Sequence, residues 1–81
     1  MQATPEMLSL ILMKSFSTMR SALKNYSDYL KSCTDARPPL NPEPDQIVRM
    51  ANEIQRIAAE INTYTQAIVE AEQNAVQRTE R

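Results

Sequence analysis

A heptad pattern of apolar residues runs through the second half of the chain and constrains its fold more than any other feature. An α-helix has about 3.6 residues per turn, so residues spaced alternately by three and four share one face of a helix. The pattern therefore predicts a long helix that packs lengthwise against another helix. Its members are Ile47, Met50, Ile54, Ile57, Ile61, Tyr64, Ile68, Ala71 and Ala75.

A matching pattern occupies the first half of the chain. Its members are Leu12, Phe16, Met19, Leu23, Tyr26, Leu30 and Cys33. Between the two patterns, residues 36–44 contain four of the five prolines. Because proline cannot donate a backbone hydrogen bond and restricts the residue before it, this segment cannot continue a helix. We predict helix 1 at about 5–35, a connector at 36–44 and helix 2 at about 45–78, all in a single domain covering 1–81.

The predicted fold class is all-α: an antiparallel two-helix hairpin that resembles a coiled coil. If the connector simply reverses the chain, Cys33 faces Ile47 and Leu23 faces Ile57. With 81 residues the hairpin can bury only one interface between its helices, and small scaffolds need additional contacts for stability. We therefore expect the hairpin to associate with itself, as a dimer or higher oligomer, into a helical bundle.

Two residue types that serve many active sites are missing. The chain contains no glycine, which phosphate-binding loops require where the backbone approaches a ligand closely. It contains no histidine, the commonest general base and zinc ligand. The carboxylates Glu53 and Glu60 each follow an arginine by four residues, which ordinary helix ion pairing explains. We expect no catalytic residue, no metal site, no cofactor and no enzymatic activity.

Charge and cysteine content limit the partners and the compartment. A net charge of −1 does not favour binding to nucleic acid. The apolar run from Met7 to Met13 is too short to span a membrane and has no preceding basic residue, so we expect neither a membrane segment nor a signal peptide. Cys33 is the single cysteine and lies in the apolar pattern, which favours a buried thiol and a cytoplasmic location.

The apolar residues near the start of helix 1 form the most informative cluster for function. They point in nearly all directions around two helical turns, and such a surface is seldom left exposed on a soluble monomer. We predict an interface here, either between copies of the chain or with another protein. The residues of this N-terminal cluster are Met7, Leu8, Leu10, Ile11 and Met13.

The leading functional hypothesis is a small non-enzymatic protein–protein interaction module, acting as an adaptor, inhibitor or chaperone-like protein. The outline of two helices separated by prolines is similar to that of the small helical-hairpin components of bacterial secretion needles. That resemblance implies a second hypothesis, a structural subunit or chaperone of a secretion or phage assembly. A third is an oligomer that binds an anionic small ligand such as a nucleotide between protomers, through Arg20, Lys24 or Arg56.

Overall fold

The protein folds as two antiparallel α-helices joined by a short connector, which confirms the predicted all-α hairpin. The structure, a computed structural model, describes residues 4–79, with side chains through residue 74. Helix α1 spans Pro5–Asp35 and helix α2 spans Pro44–Thr79. These bounds lie within one residue of those expected from the sequence. The hairpin measures 69 × 20 × 17 Å, so it is an elongated rod.

Helix α1 begins and ends with backbone groups satisfied locally. The Thr4 side chain accepts a hydrogen bond from the Met7 N–H at 3.2 Å, and Pro5 occupies the first turn. A hydroxyl at this position satisfies one of the free N–H groups of a helix start, and proline there loses no hydrogen bond. At the other end, Ala36 is extended and its N–H donates to the Ser32 carbonyl at 3.2 Å.

The connector folds back alongside the last turns of α1. The Leu40 N–H donates to the Cys33 carbonyl at 3.0 Å. Further along, the Glu43 N–H donates to the hydroxyl of Tyr29 at 2.9 Å, one residue before α2 begins. Residues 36–43 therefore run back beside the last turns of α1 while the chain reverses direction. As a result, α2 starts level with Tyr29.

This compact connector changes the register of the two helices. Ala22 and Met50 border the same surface depression, whereas the predicted register placed Ala22 near position 58. The expected pairing of Cys33 with Ile47 and of Leu23 with Ile57 is therefore wrong, by about one heptad. The prediction assumed that the connector crosses from the end of α1 rather than running beside it. As a result, α2 continues about ten residues, or about 15 Å, past the start of α1.

The helix–helix core contains the heptad pattern predicted for α2. Ile57 is fully buried and is the largest side chain at the centre of this core. The other members with described side chains are half-buried: Ile47, Met50, Ile54, Ile61, Tyr64, Ile68 and Ala71. Ala75 lies outside the residues whose side chains are described.

Helix α1 contributes a different set of residues from the predicted one. Four predicted members, Leu12, Met19, Tyr26 and Cys33, do lie in the core. The alternate positions are occupied by Leu8, Ser15, Ala22 and Tyr29, which are buried or half-buried. The prediction that Phe16, Leu23 and Leu30 also lie there is wrong, since they are 41%, 50% and 37% exposed.

Size explains this choice of core residues. Extending the register of the connector contacts along both helices places Ser15 level with Ile57 and Ala22 level with Met50. In these two layers a small side chain of α1 lies opposite a large side chain of α2, which suits close packing of two helices. Phe16 and Leu23 are consequently turned outward. Within residues 4–79, neither helix contains a stretch long and apolar enough to cross a bilayer.

Candidate interaction surfaces

The hairpin has two broad faces, one on each side of its core. Asn25 of α1 and Glu53 of α2 border the same depression as the core residues Ala22 and Met50, so these two flanks lie on the same side. We call this side the polar face. It comprises Thr18, Asn25, Ser32, Glu53 and Glu60, with Arg56 at its rim.

The opposite side carries apolar residues from both helices. Phe16, Leu23 and Leu30 recur every seven residues on this flank of α1, and Ala51 and Ala58 recur at the same interval on α2. Met13 and Val48 lie at its outer edges and are 55% and 56% exposed. We call this the apolar face. It consists of these seven residues: Met13, Phe16, Leu23, Leu30, Val48, Ala51 and Ala58.

Large and small residues alternate across the apolar face. In the observed register Phe16 lies within about half a helical turn of Ala58 along the hairpin axis, and Leu23 lies equally near Ala51. Phe16 and Leu23 therefore each stand beside a gap over an alanine of α2. A surface of this kind can receive a helix whose side chains project into those gaps.

The N-terminal cluster divides into one supporting residue and four exposed ones. Leu8 is 8% exposed and packs into the core between the helices, so its side chain is not available at the surface. The other four are exposed: Met7 at 54%, Leu10 at 64%, Ile11 at 38% and Met13 at 55%. They surround α1, with Met13 shared with the apolar face. Val69 of α2, 48% exposed, lies level with the beginning of α1 and adds to the apolar surface at this end.

The three candidate anion-binding residues do not converge within one chain. The Lys24 ammonium lies 2.7 Å from a carboxylate oxygen of Asp28, on the outer side of α1. Arg56 lies on α2, where its guanidinium is 2.6 Å from Glu53 and 2.7 Å from Glu60. Arg20 takes part in no ion pair among the described residues and lies on the apolar-face side of α1.

These ion pairs affect the titration of the two cations. The hydrogen bond that Lys24 donates to the Asp28 carboxylate, followed by the negative charge of Asp28, raises the pKa of Lys24 above the ordinary lysine value of 10.5. The hydrogen bond and charge of Glu53, with a further contribution from the charge of Glu60, likewise raise the pKa of Arg56. Both cations are therefore already matched with carboxylates of their own helix, which leaves less of their charge for an external anion.

The surface depressions are shallow. One of about 270 Å³ lies between the helices on the polar face, lined by Ala22, Asn25, Arg49, Met50 and Glu53. Another of about 330 Å³ is lined by α2 alone, from Asn62 to Gln73. Among the described residues, no group of three or more acidic or cysteine side chains is arranged to hold a metal ion. The surfaces with the clearest capacity to bind are the apolar ones.

The sequence pattern did not identify Phe16, Leu23 and Leu30 as surface residues. It assigned Phe16, Leu23 and Leu30 to the core because they are the most hydrophobic residues at heptad spacing. A comparison of side-chain volumes could have identified them, because Ser15 and Ala22 fit opposite the bulky residues of α2 and Phe16 and Leu23 do not.

The fold and these surfaces define a helical hairpin with a filled core and exposed apolar residues on one face and around one end. No protein-family model matches the chain, and neither a curated protein nor a solved structure matches it significantly.

Proposed function

We propose that the protein is a small non-enzymatic interaction module that works as a helical bundle and captures another protein through its N-terminal cluster. One observation carries the proposal: large apolar side chains remain exposed although the core of the hairpin is already filled. Met7, Leu10 and Met13 are each more than half exposed. Leaving a large apolar side chain in water forgoes roughly 1.5–3 kcal/mol relative to burying it. A partner that covers them gains the share of that free energy that corresponds to their exposed surface.

The chemistry of the cluster favours an adaptor, inhibitor or chaperone-like role. Methionine is unbranched and has a polarisable sulfur, so it adapts to partners of different shape. The exposed residues lie on the first turns of α1, next to the stretch in which α2 extends beyond α1, so a partner helix can contact both α1 and the side of α2 near Val69. Such recognition would use the apolar face of an amphipathic helix. The buried Cys33 supports a reducing, cytoplasmic setting for this role.

The anionic-ligand hypothesis has less support. Lys24 and Arg56 each pair with carboxylates of their own helix, and Arg20 lies on another side of the hairpin. A site would require residues from several protomers.

The experiment that tests the proposed function compares two double variants in affinity capture followed by chemical cross-linking. Leu10→Glu with Met13→Glu places two charges in the N-terminal cluster. Ser17→Glu with Ser21→Glu is the matched control, since both serines are exposed on the same helix and outside the cluster. We expect the native chain and the control to capture the same protein, cross-linked near Leu10, and the cluster variant to lose it. Capture that is unchanged by Leu10→Glu and Met13→Glu would overturn the proposal.

A further inference from the structure

We infer that the apolar face binds a second copy of the same chain, forming a four-helix bundle in which α1 of one copy lies against α2 of the other. This inference deepens the proposed function, because it identifies the surface through which the bundle assembles. It does not depend on the N-terminal cluster having a partner.

Helix α1 has two heptad patterns that could pack against α2, and the hairpin buries one of them. Leu12, Met19 and Tyr26 belong to both patterns, so α1 could have turned either flank inward. It buries Ser15 and Ala22 and leaves Phe16 and Leu23 at the surface. Exposed apolar residues repeating every seven positions mark a helix with a second packing surface beyond its hairpin partner.

The apolar face is complementary to the same face of a second copy. Most soluble oligomers are symmetric, and a two-fold axis brings the same patch of both copies together. If that axis runs along the hairpin, α1 of one copy faces α2 of the other at the same height. Phe16 then meets Ala58 of the second copy, and Leu23 meets its Ala51. These two large side chains of α1 are each received over an alanine of the other copy.

The apolar face also carries little charge. Between the heights of Phe16 and Leu30, the apolar face contains no carboxylate, and the one charged residue at its rim is Arg20. The polar face, in contrast, carries Glu53 and Glu60. Pairing two apolar faces therefore buries no acid. The long stem of Arg20 can lie along the edge of the contact while its guanidinium stays in water.

The exposed apolar area of the apolar face suits the centre of a dimer interface. Met13, Phe16, Leu23, Leu30 and Val48 are each between 37% and 56% exposed. At about 200 Å² for a large side chain, they leave on the order of 500 Å² of apolar surface on each copy. A specific interface takes about 800 Å² from each partner, with a polar rim around an apolar centre. The face therefore supplies the apolar centre that a stable dimer requires.

The first experiment measures mass in solution with purified full-length protein and no other partner. Each chain has a mass of 9.2 kDa. We expect light scattering on a sizing column to give twice this value for the native chain. We expect Phe16→Glu with Leu23→Glu to give the single-chain mass, with helical circular dichroism retained. The matched control, Thr18→Glu with Asn25→Glu on the polar face, keeps the doubled mass.

A native chain that stays monomeric at about 100 μM would overturn the inference, since a bundle with this contact is expected to form well below that concentration. So would a doubled mass that survives Phe16→Glu with Leu23→Glu. In that case another surface, or another protein, is the occupant. Loss of the dimer in Phe16→Glu with Leu23→Glu, with partner capture intact, separates this inference from the proposed function, because Leu10 of the N-terminal cluster lies outside the apolar face.

A second experiment does not require the glutamate variant to fold. With Cys33 changed to Ser, chains carrying Leu23→Cys are mixed with chains carrying Ala51→Cys and oxidised mildly. We expect a cross-linked heterodimer to form faster than either homodimer, because α1 of one copy lies against α2 of the other. Chains carrying Asn25→Cys mixed with the Ala51→Cys chains serve as the control. Faster cross-linking between two Leu23→Cys chains, or equal rates in all mixtures, would overturn the arrangement.

Discussion

The two faces of the hairpin flank the same core but differ in what they offer a partner. The polar face has two glutamates held by Arg56 at 2.6 and 2.7 Å, so its charges are matched within α2. The apolar face has Phe16, Leu23 and Leu30, which remain 37–50% exposed. The polar face is satisfied within the monomer, whereas the apolar face leaves large apolar side chains in water. The difference arises because α1 turns Ser15 and Ala22 inward and leaves Phe16 and Leu23 at the surface.

The largest expected effect concerns the core that both faces share. Ile57→Ala should lower the free energy of unfolding by roughly 2–5 kcal/mol, because it opens a cavity where Ile57 is fully buried. Val48→Ala, at a position 56% exposed on the edge of the apolar face, is the control and should cost much less. Urea titrations followed by circular dichroism measure both. Equal losses for the two variants would mean that the core is not centred on Ile57.

The next effect tests whether side-chain volume decides which face is apolar. Ser15→Leu adds bulk at a position that is 7% exposed and level with Ile57. Overpacking of this kind should cost roughly 1–3 kcal/mol, whereas Ser15→Ala should change stability little. Thermal unfolding at equal protein concentration provides the comparison. A more stable Ser15→Leu variant would show that there is room opposite Ile57, and the explanation for the outward position of Phe16 would fail.

The smallest effect is expected on the polar face. Arg56→Gln removes the contacts to Glu53 and Glu60, but all three side chains are about half exposed to water, where ion pairs contribute little. We expect a slight fall in melting temperature that disappears in 1 M salt, and an unchanged oligomer mass. Lys31→Gln, on the outer side of α1, is the control. A large fall in mass would mean that the polar face also takes part in assembly.

Lys24 provides a corresponding test by pH. Because Asp28 raises its pKa in the folded state, the stabilisation is present below the ordinary value of 10.5 and is lost as pH rises through the higher folded value. We therefore expect Asp28→Asn to reduce the melting temperature slightly at pH 7 and to have no effect at a pH above the folded-state pKa of Lys24, where the amine is uncharged. A difference between the two proteins that persists at that pH would contradict the assignment.

The sequence was sufficient for the fold but not for the surfaces. Proline placement and heptad spacing predicted the hairpin, the limits of both helices and the inward side of α2. The register was wrong because it depends on the hydrogen bonds of Leu40 and Glu43, which fold the connector back along α1. The prediction of which α1 residues face the core was half wrong. Hydrophobicity alone favours Phe16 as a core residue, whereas packing against Ile57 favours Ser15. Within the N-terminal cluster, only the burial of Leu8 could not be predicted without the three-dimensional contacts.

The prolines of the connector also bear on the unfolded chain. Proline has a fixed φ and restricts the residue before it, so Pro38, Pro39 and Pro42 leave the unfolded connector with few conformations to lose. Where the native backbone geometry suits proline, replacing another residue by proline commonly stabilises a protein by about 0.4–1 kcal/mol, because the unfolded chain then has fewer conformations. Closing the hairpin therefore costs less entropy than a flexible linker of the same length would require. Each chain can bring its own two helices together before it meets another, which disfavours the exchange of helices between copies.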